Sequence, residues 1–257
     1  MSTPKLEFPP FHLPAEAEAL RGEVRAFLKE TLPKIRSEDR FASWNTPSPE
    51  FSKALGARGW LGITWPKQYG GAERSFLDRL VVTEELLGNS APAGSHWVAD
   101  RQSGPLLLKF GTAHQRQALL PRIVRGECYF SIGMSEPDSG SDLASVRTRA
   151  EQVPGGFRVN GTKVWTSGAH RNHYCITLVR TSGQHGDRHK GLSQLLVDLK
   201  TPGVTIRPII NLAGRHDWNE VTFSDAFIPE DCLIGNEGDG WLQVTREPAL
   251  ERAGPER

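Results

Sequence analysis

Apolar positions recur at intervals of three and four through the first half of the chain and at shorter, alternating intervals through the second. Between residues 14 and 30, Ala17, Leu20, Val24, Phe27 and Leu28 share one face behind a proline suited to a first helical turn. This spacing predicts an amphipathic helix, closed by Pro33. A second helix is expected at 49–58, ended by Gly59, and residues 60–71 mix rings with turn formers in a packed reversal of direction. Phe76, Leu77, Leu80, Val81 and Leu87 fit one further helical face. Residues 96–110 read as another helix, and 112–124 as a third, capped by Thr112 and interrupted or re-entered at Pro121.

Near residue 127 the period shortens to that of strands, beginning at 129–134. Residues 157–165 read as a hairpin, because Asn160-Gly161 supplies the positive backbone angles of a two-residue turn. Further strands are expected at 174–180, 194–199, 204–210 and 220–223. Short strands between Gly/Pro turns predict a small barrel or sandwich, and 235–257 reads as a Gly-rich turn entering a helix.

Composition narrows the function classes. The 257 residues carry 31 Lys+Arg against 30 Asp+Glu, with 37% hydrophobic residues, so neither disorder nor a polycation for nucleic acid is expected. No apolar run approaches the roughly 20 residues of a membrane span, and the first residues resemble neither a signal nor a transit peptide. A cytoplasmic location is the expectation. Cys128, Cys175 and Cys232 are odd in number and widely spaced, as for buried thiols in a reducing compartment.

Dinucleotide, P-loop, nucleophile-elbow and HExxH motifs are all missing. The pairs His170/His173 and His185/His189 have metal-ligand spacing but sit among loop residues, so solvated histidines are expected and no metal. The most informative segment is 134–143, Met-Ser-Glu-Pro-Asp-Ser-Gly-Ser-Asp-Leu, where a strand runs into a loop dense in hydroxyls, carboxylates and glycine. Such a loop can turn N–H groups and hydroxyls on a polar or anionic ligand.

The run Ser135-Glu-Pro-Asp-Ser-Gly-Ser-Asp142, followed by Asn160-Gly-Thr-Lys-Val-Trp165-Thr-Ser-Gly-Ala169, closely resembles the paired signatures of the acyl-CoA dehydrogenase family. Residues 65–71, 110–115, 120–127 and 227–235 also look like family landmarks in family order. The resemblance implies an α+β chain: an N-terminal all-α helical domain (1–126), a middle β-barrel domain (127–236), and the start of a C-terminal helical bundle (237–257). It implies FAD as cofactor, an acyl-CoA substrate, electron-transfer flavoprotein as electron acceptor, and a homo- or hetero-oligomer. By similarity Met134, Ser135, Gly140 and Ser141 would line the flavin, with Ser141 also near the acyl-CoA. Trp165, Thr166 and Ser167 would sit against the flavin ring. Read without the resemblance, Trp165 is a core aromatic on a hairpin.

The expected departure lies at the end. Family members continue into a helical bundle that often carries the catalytic carboxylate, whereas here the one candidate base with a family counterpart is Glu251, in Ala249-Leu-Glu-Arg252. Pro248 would cost a helix interior about 3 kcal/mol. Two readings follow: a dehydrogenase that makes a trans-2-enoyl-CoA, with Glu251 as candidate catalytic base, or a non-catalytic or partner-dependent subunit of a heteromeric dehydrogenase.

Overall fold

The computed structural model describes residues 12–40 and 42–252, in side-chain detail apart from Asp39, His185 and positions from 247 onward. The helical half is built from α1 (Ala15–Thr31), α2 (Pro49–Ala57), α3 (Phe76–Gly88), α4 (Gly104–Phe110) and α5 (Ala113–Val124). Sequence capping signals set the starts of three of them. Ser48 accepts from the Phe51 N–H at α2, and capping boxes Ser75/Asp78 and Thr112/Gln115 open α3 and α5. The face predicted for α1 buries Leu20, Val24 and Phe27 against Phe51, Trp60 and Val81. Arg21 and Arg25 of α1 both donate to the nearly buried Glu85 of α3, at 2.7 and 2.9 Å.

Two helical expectations are refined. Pro121 neither interrupts nor restarts α5, which runs through it. The helix expected at 96–110 contains a π turn at Ala99–Ser103 before α4, with the Gly104 N–H bonded back to the Ala99 carbonyl. Pro105 has no N–H to give, and a widened turn accommodates that missing donor.

The sheet half comprises β1 (Phe130–Gly133), β2 (Arg149–Val153), β3 (Gly156–Lys163), β4 (Tyr174–Arg180), β5 (Leu192–Asp198), β6 (Val204–Ile210), β7 (His216–Pro229) and β8 (Leu233–Ile234). The eight strands form one sheet in the order β6-β7-β3-β2-β4-β5-β8, with β1 parallel to β4. This corrects the barrel expectation: the sheet is not closed, and β6 and β8 stand at the two ends of that order. The β8 edge is capped by glutamines from helices instead of by another strand. Gln115 of α5 donates to the carbonyls of Asp231 and Leu233 at 2.7 and 2.9 Å, and Gln243 of α6 (Gly240–Arg252) donates to that of Ile234 at 2.7 Å.

The hairpin expected at Asn160-Gly161 is also corrected. β3 passes straight through this dipeptide, with a bulge opposite β7 between Val159 and Gly161, and the reversal falls instead at Pro154-Gly155, between β2 and β3. Asn160 works sideways: its amide donates to the Asp225 carboxylate at 2.9 Å and accepts from the Asp225 N–H at 2.9 Å. β2 was not expected at all, because only Ala150 of its five residues is buried and its apolar pattern is faint. β7 extends far beyond the expected 220–223, since it spans both β3 and β6 as a partner.

A common core joins the halves. Trp65, Leu106, Leu107, Leu120 and Ile123 from the helices pack with Phe130, Ile176, Leu196 and Ile234 from the sheet. Cys128 and Cys175 are buried and Cys232 is half-buried, all three as free thiols. Among the described residues no helix is long and apolar enough to cross a membrane.

His96 adds a pH-dependent contact to the helical core. Its Nδ1 lies 2.8 Å from the Ser52 hydroxyl of α2, and burial pushes its pKa down from 6.5 to about 4. The unfolded chain therefore binds the extra proton between those values, so stability is complete above the unfolded pKa and is lost as pH falls toward the folded one. The expected loss between pH 7 and pH 4 is about 3 kcal/mol. Urea midpoints at both pH values should diverge in the native chain, and His96→Gln should remove that part of the divergence.

Candidate functional site

Where β1 gives way to the hydroxyl-rich loop, one buried ion pair organises both signature segments. Lys163, at the end of β3 and 0% exposed, donates to Glu136 Oε1 at 2.8 Å and to the Met134 carbonyl at 3.0 Å. Glu136 also accepts the Arg147 and Thr148 N–H groups at 2.7 and 2.9 Å. Burial alone would raise the Glu136 carboxyl, yet the Lys163 charge and these hydrogen bonds hold it below the ordinary carboxylate range. Burial pushes the Lys163 ammonium down, against the attraction of Glu136. The loop is further closed by Glu136 and Ser139 exchanging backbone hydrogen bonds at 2.7 and 3.1 Å.

Beyond Lys163 the chain turns through 164–168. Val164 N–H bonds to the Ser135 carbonyl, Thr166 N–H to that of Asn219, and Gly168 N–H to that of Asp217. Asn219, wholly buried, also donates to the Thr166 carbonyl at 2.9 Å. Trp165 is thereby held at φ 60°, a left-handed conformation uncommon for a bulky residue, with 60% of its surface exposed. A strained, exposed tryptophan fixed on both sides is a feature that cores do not need and ligand sites use.

Trp165 borders a cleft of about 330 Å³ between the halves of the molecule. The sheet half contributes Ile132, Met134, Trp165, Ser167, Gly168 and Arg171; the helical half contributes Trp44, Asn45, Gly94, Trp97, Val98 and Gln102. Three of the chain's seven tryptophans thus face one space. Trp97 is fixed by Arg101, whose guanidinium lies 4.3 Å from the ring centroid and donates to Thr83 at 3.1 Å. Trp165 in turn meets Trp218 edge to face at 6.2 Å. Ser131 donates to the Ser167 carbonyl at 2.7 Å, and Asn172 donates to the Phe130 carbonyl and the Ser131 hydroxyl, so the floor of the cleft is hydrogen-bonded to β1.

Of the residues singled out from sequence, the structure brings Met134, Trp165 and Ser167 together on this cleft. Ser135 is half-buried beside it and spends its carbonyl on Val164. Gly140 and Ser141 are exposed farther along the loop and do not border the cleft. Thr166 turns inward: it is fully buried, and its hydroxyl has no hydrogen-bond partner among the described residues. Glu251 falls on α6, but its side chain lies outside the described residues. The side chains of His170 and His173 have different partners, and that of His185 lies outside the described residues. His170 stacks on His216 at 3.7 Å, His173 accepts from the Tyr129 N–H, and His189 stacks on Trp241. Sequence reasoning missed Lys163, Arg171 and the helical wall. Trp44-Asn45, an aromatic-polar pair in an irregular stretch, was the available signal for that wall.

Comparison with known proteins matches the chain to the acyl-CoA dehydrogenase family. The model of the acyl-CoA dehydrogenase N-terminal domain matches residues 14–127, and that of the middle domain matches 131–226. Acyl-CoA dehydrogenase IpdE1 of Mycobacterium tuberculosis is 42% identical over 251 residues, covering 92% of this chain and 63% of the relative. Among solved structures, the ChsE4-ChsE5 complex from Mycobacterium tuberculosis superposes with a TM-score of 0.83 at 33% identity, covering 96% of this chain and 64% of that one. The Tcur3481-Tcur3483 steroid ACAD gives 0.84 at 33% identity, covering 95% and 63%. The chain therefore spans less than two thirds of the length of these relatives.

Proposed function

The chain belongs to the acyl-CoA dehydrogenase family, and from that premise we propose that its cleft receives the flavin ring of FAD and the acyl group of an acyl-CoA, for α,β-dehydrogenation to a trans-2-enoyl-CoA. The observation that carries the reading is Trp165, strained at φ 60°, exposed, and anchored on the cleft beside Ser167 and Met134. A planar apolar face held open in this way fits a flat heteroaromatic ring. The same reading divides the chain into 1–126, 127–236 and 237–257.

The residues fit the cofactor in kind. Trp165 and Met134 would cover an apolar ring face, and the hydroxyls of Ser135 and Ser167 would bond its polar edge. Gly140 and Ser141 would meet the more distant parts of cofactor and thioester on the open side of the loop; a Cβ at Gly140 would touch nothing within 4 Å, leaving room for a ligand. When bound, FAD supplies the two-electron acceptance that no side chain offers. The chain's own contribution is to exclude water with its tryptophans, to orient the acyl group between its two halves, and to present hydroxyl donors where negative charge grows. Glu251 is the proposed base for the α-proton, and electron-transfer flavoprotein the proposed acceptor.

A partner-dependent subunit is the second reading. It is favoured by the exposed Ile210 and Leu212 at the open β6–β7 end, an apolar surface that suits another chain or domain. The relatives described as the ChsE4-ChsE5 complex and the Tcur3481-Tcur3483 steroid ACAD are assemblies of two named components. The visible spectrum after gel filtration with FAD tests both readings. Yellow protein that bleaches on adding acyl-CoA is expected for a self-sufficient site. Colourless protein that becomes yellow only with a second chain would establish the partner-dependent form, and colourless protein under every condition would overturn both.

A further inference from the structure

The cleft wall mixes aromatic and apolar side chains with the neutral polar groups of Asn45, Gln102, Ser167 and Asn172, and carries one charge, Arg171. Arg171 follows the tight turn at Gly168, whose φ is 67°, and its N–H bonds back to the Gly168 carbonyl at 2.9 Å. The side chain folds over that glycine: a Cβ built on Gly168 would lie 3.3 Å from Arg171 Nε and 3.0 Å from Asn172 Nδ2. Asn172 is pinned to β1, so the turn that aims Arg171 is rigid.

The guanidinium reaches the cleft with most of its donors unspent. Among the described residues its side chain makes one hydrogen bond, Nη2 to the Asn45 carbonyl at a long 3.4 Å, and no ion pair. The carboxylate that attracts it, Asp217, is already engaged by the Asn211 amide at 2.7 Å and by Arg215 at 3.5 Å. Burial meanwhile disfavours the Arg171 charge, with Asp217 as the opposing attraction. Elsewhere in the protein Arg180 uses four of its five donors, on the carbonyls of Ala144, Val146, Arg188 and Lys190. A half-buried guanidinium with spare donors, set among Trp44, Trp97 and Ile132, is a receptor for an oxygen carried on an otherwise apolar ligand.

We propose that Arg171 determines substrate specificity by receiving an oxygen acceptor, carboxylate or ketone, borne by the acyl group at the end remote from its thioester. This rests on the reading of the cleft as an acyl-CoA site. A straight hydrocarbon chain would leave those donors unpaired as it displaced water from them, whereas an oxygenated one satisfies them, and the planar fork suits a carboxylate best.

Calorimetric titration of the chain with adipoyl-CoA, 6-oxoheptanoyl-CoA and heptanoyl-CoA tests this directly. At least one oxygenated thioester should bind about tenfold to a hundredfold more tightly than heptanoyl-CoA, as a hydrogen bond to a charged group implies. The arm that responds identifies the carboxylate or the ketone. Arg171→Met should abolish the preference. Equal affinities in the native chain, or a preference that survives Arg171→Met, would overturn the proposal. Free adipate against free pentanoate, read by tryptophan fluorescence, separates the two ideas. An Arg171-dependent adipate response without binding of any thioester would sink the acyl-CoA reading and keep the subsite. Binding of heptanoyl-CoA with no Arg171-dependent response in any arm would do the reverse, and so would an Arg171→Met chain altered only in its flavin spectrum.

Discussion

Lys163→Met is expected to destabilise the chain by about 3–5 kcal/mol, the cost of leaving a buried carboxylate without its countercharge. Glu136 would keep the Arg147 and Thr148 N–H groups but lose its ion-pair partner, in a site where both side chains are almost inaccessible to water. The Met134 carbonyl would lose its Lys163 donor at the same time. Both losses fall on the segment that carries Met134 and Ser135 to the cleft, so stability and ligand binding should fail together. Urea denaturation gives the first effect, and flavin retained after gel filtration gives the second. Glu136→Gln/Lys163→Met replaces the charged pair by neutral groups and should recover much of the stability, because an unpaired charge and not a missing bond is the main penalty. If the double variant is no more stable than Lys163→Met, the pair does not act as a charge pair. Because Glu136 is held below the ordinary carboxylate range, its contribution is present at neutral pH and is lost as pH falls through its folded value.

Why the two signature segments belong together was legible in the sequence only as a resemblance. Glu136 and Lys163 are 27 residues apart, and no periodicity links them. Local rules worked where a local cause decides the structure. Thr112 was readable as a cap because its hydroxyl acts three residues away, and β4 and β6 span the residues expected of them. The same rules failed where the cause is distant. Asn160-Gly161 has the chemistry of a turn, but β7 pairs on both sides of it and imposes a strand. Closure of the sheet could not be read either, since the β8 edge is satisfied by Gln115 and Gln243, polar residues that look like helix surface in the sequence.

The candidate site divides in the same way. Met134, Trp165 and Ser167 were legible through the resemblance, and the cleft brings them together. Trp44, Trp97 and Arg171 were not, because their role arises only when the helical half meets the sheet across a gap. Thr166 shows the limit of carrying roles by adjacency. Between two neighbours that border the cleft, it faces the interior, because the turn through 164–168 directs adjacent side chains to different sides.

Gly161→Ala is expected to cost about 4 kcal/mol, from a backbone conformation open to glycine and from overpacking. Gly161 sits at φ 146°, and a Cβ there would lie 2.7 Å from the Thr148 Cα and 2.6 Å from its hydroxyl oxygen. The contact is partly with backbone, so it cannot be relieved by a rotamer change; Thr148 itself must move. Thr148 is one of the two residues whose N–H groups hold Glu136, at 2.9 Å, and displacing it loosens the acceptor side of the buried pair. The glycine that looked like a turn former therefore acts as a spacer that lets β3 approach the segment bracing the site loop. Two consequences can be measured. Gly161→Ala should lower the urea midpoint and speed proteolysis within 135–142 together. In a double-mutant cycle with Lys163→Met the two costs should fall short of additivity, because each damages the same Glu136 site. Full additivity would mean that Gly161 serves only the strand, and the loop would have to be braced by Lys163 alone.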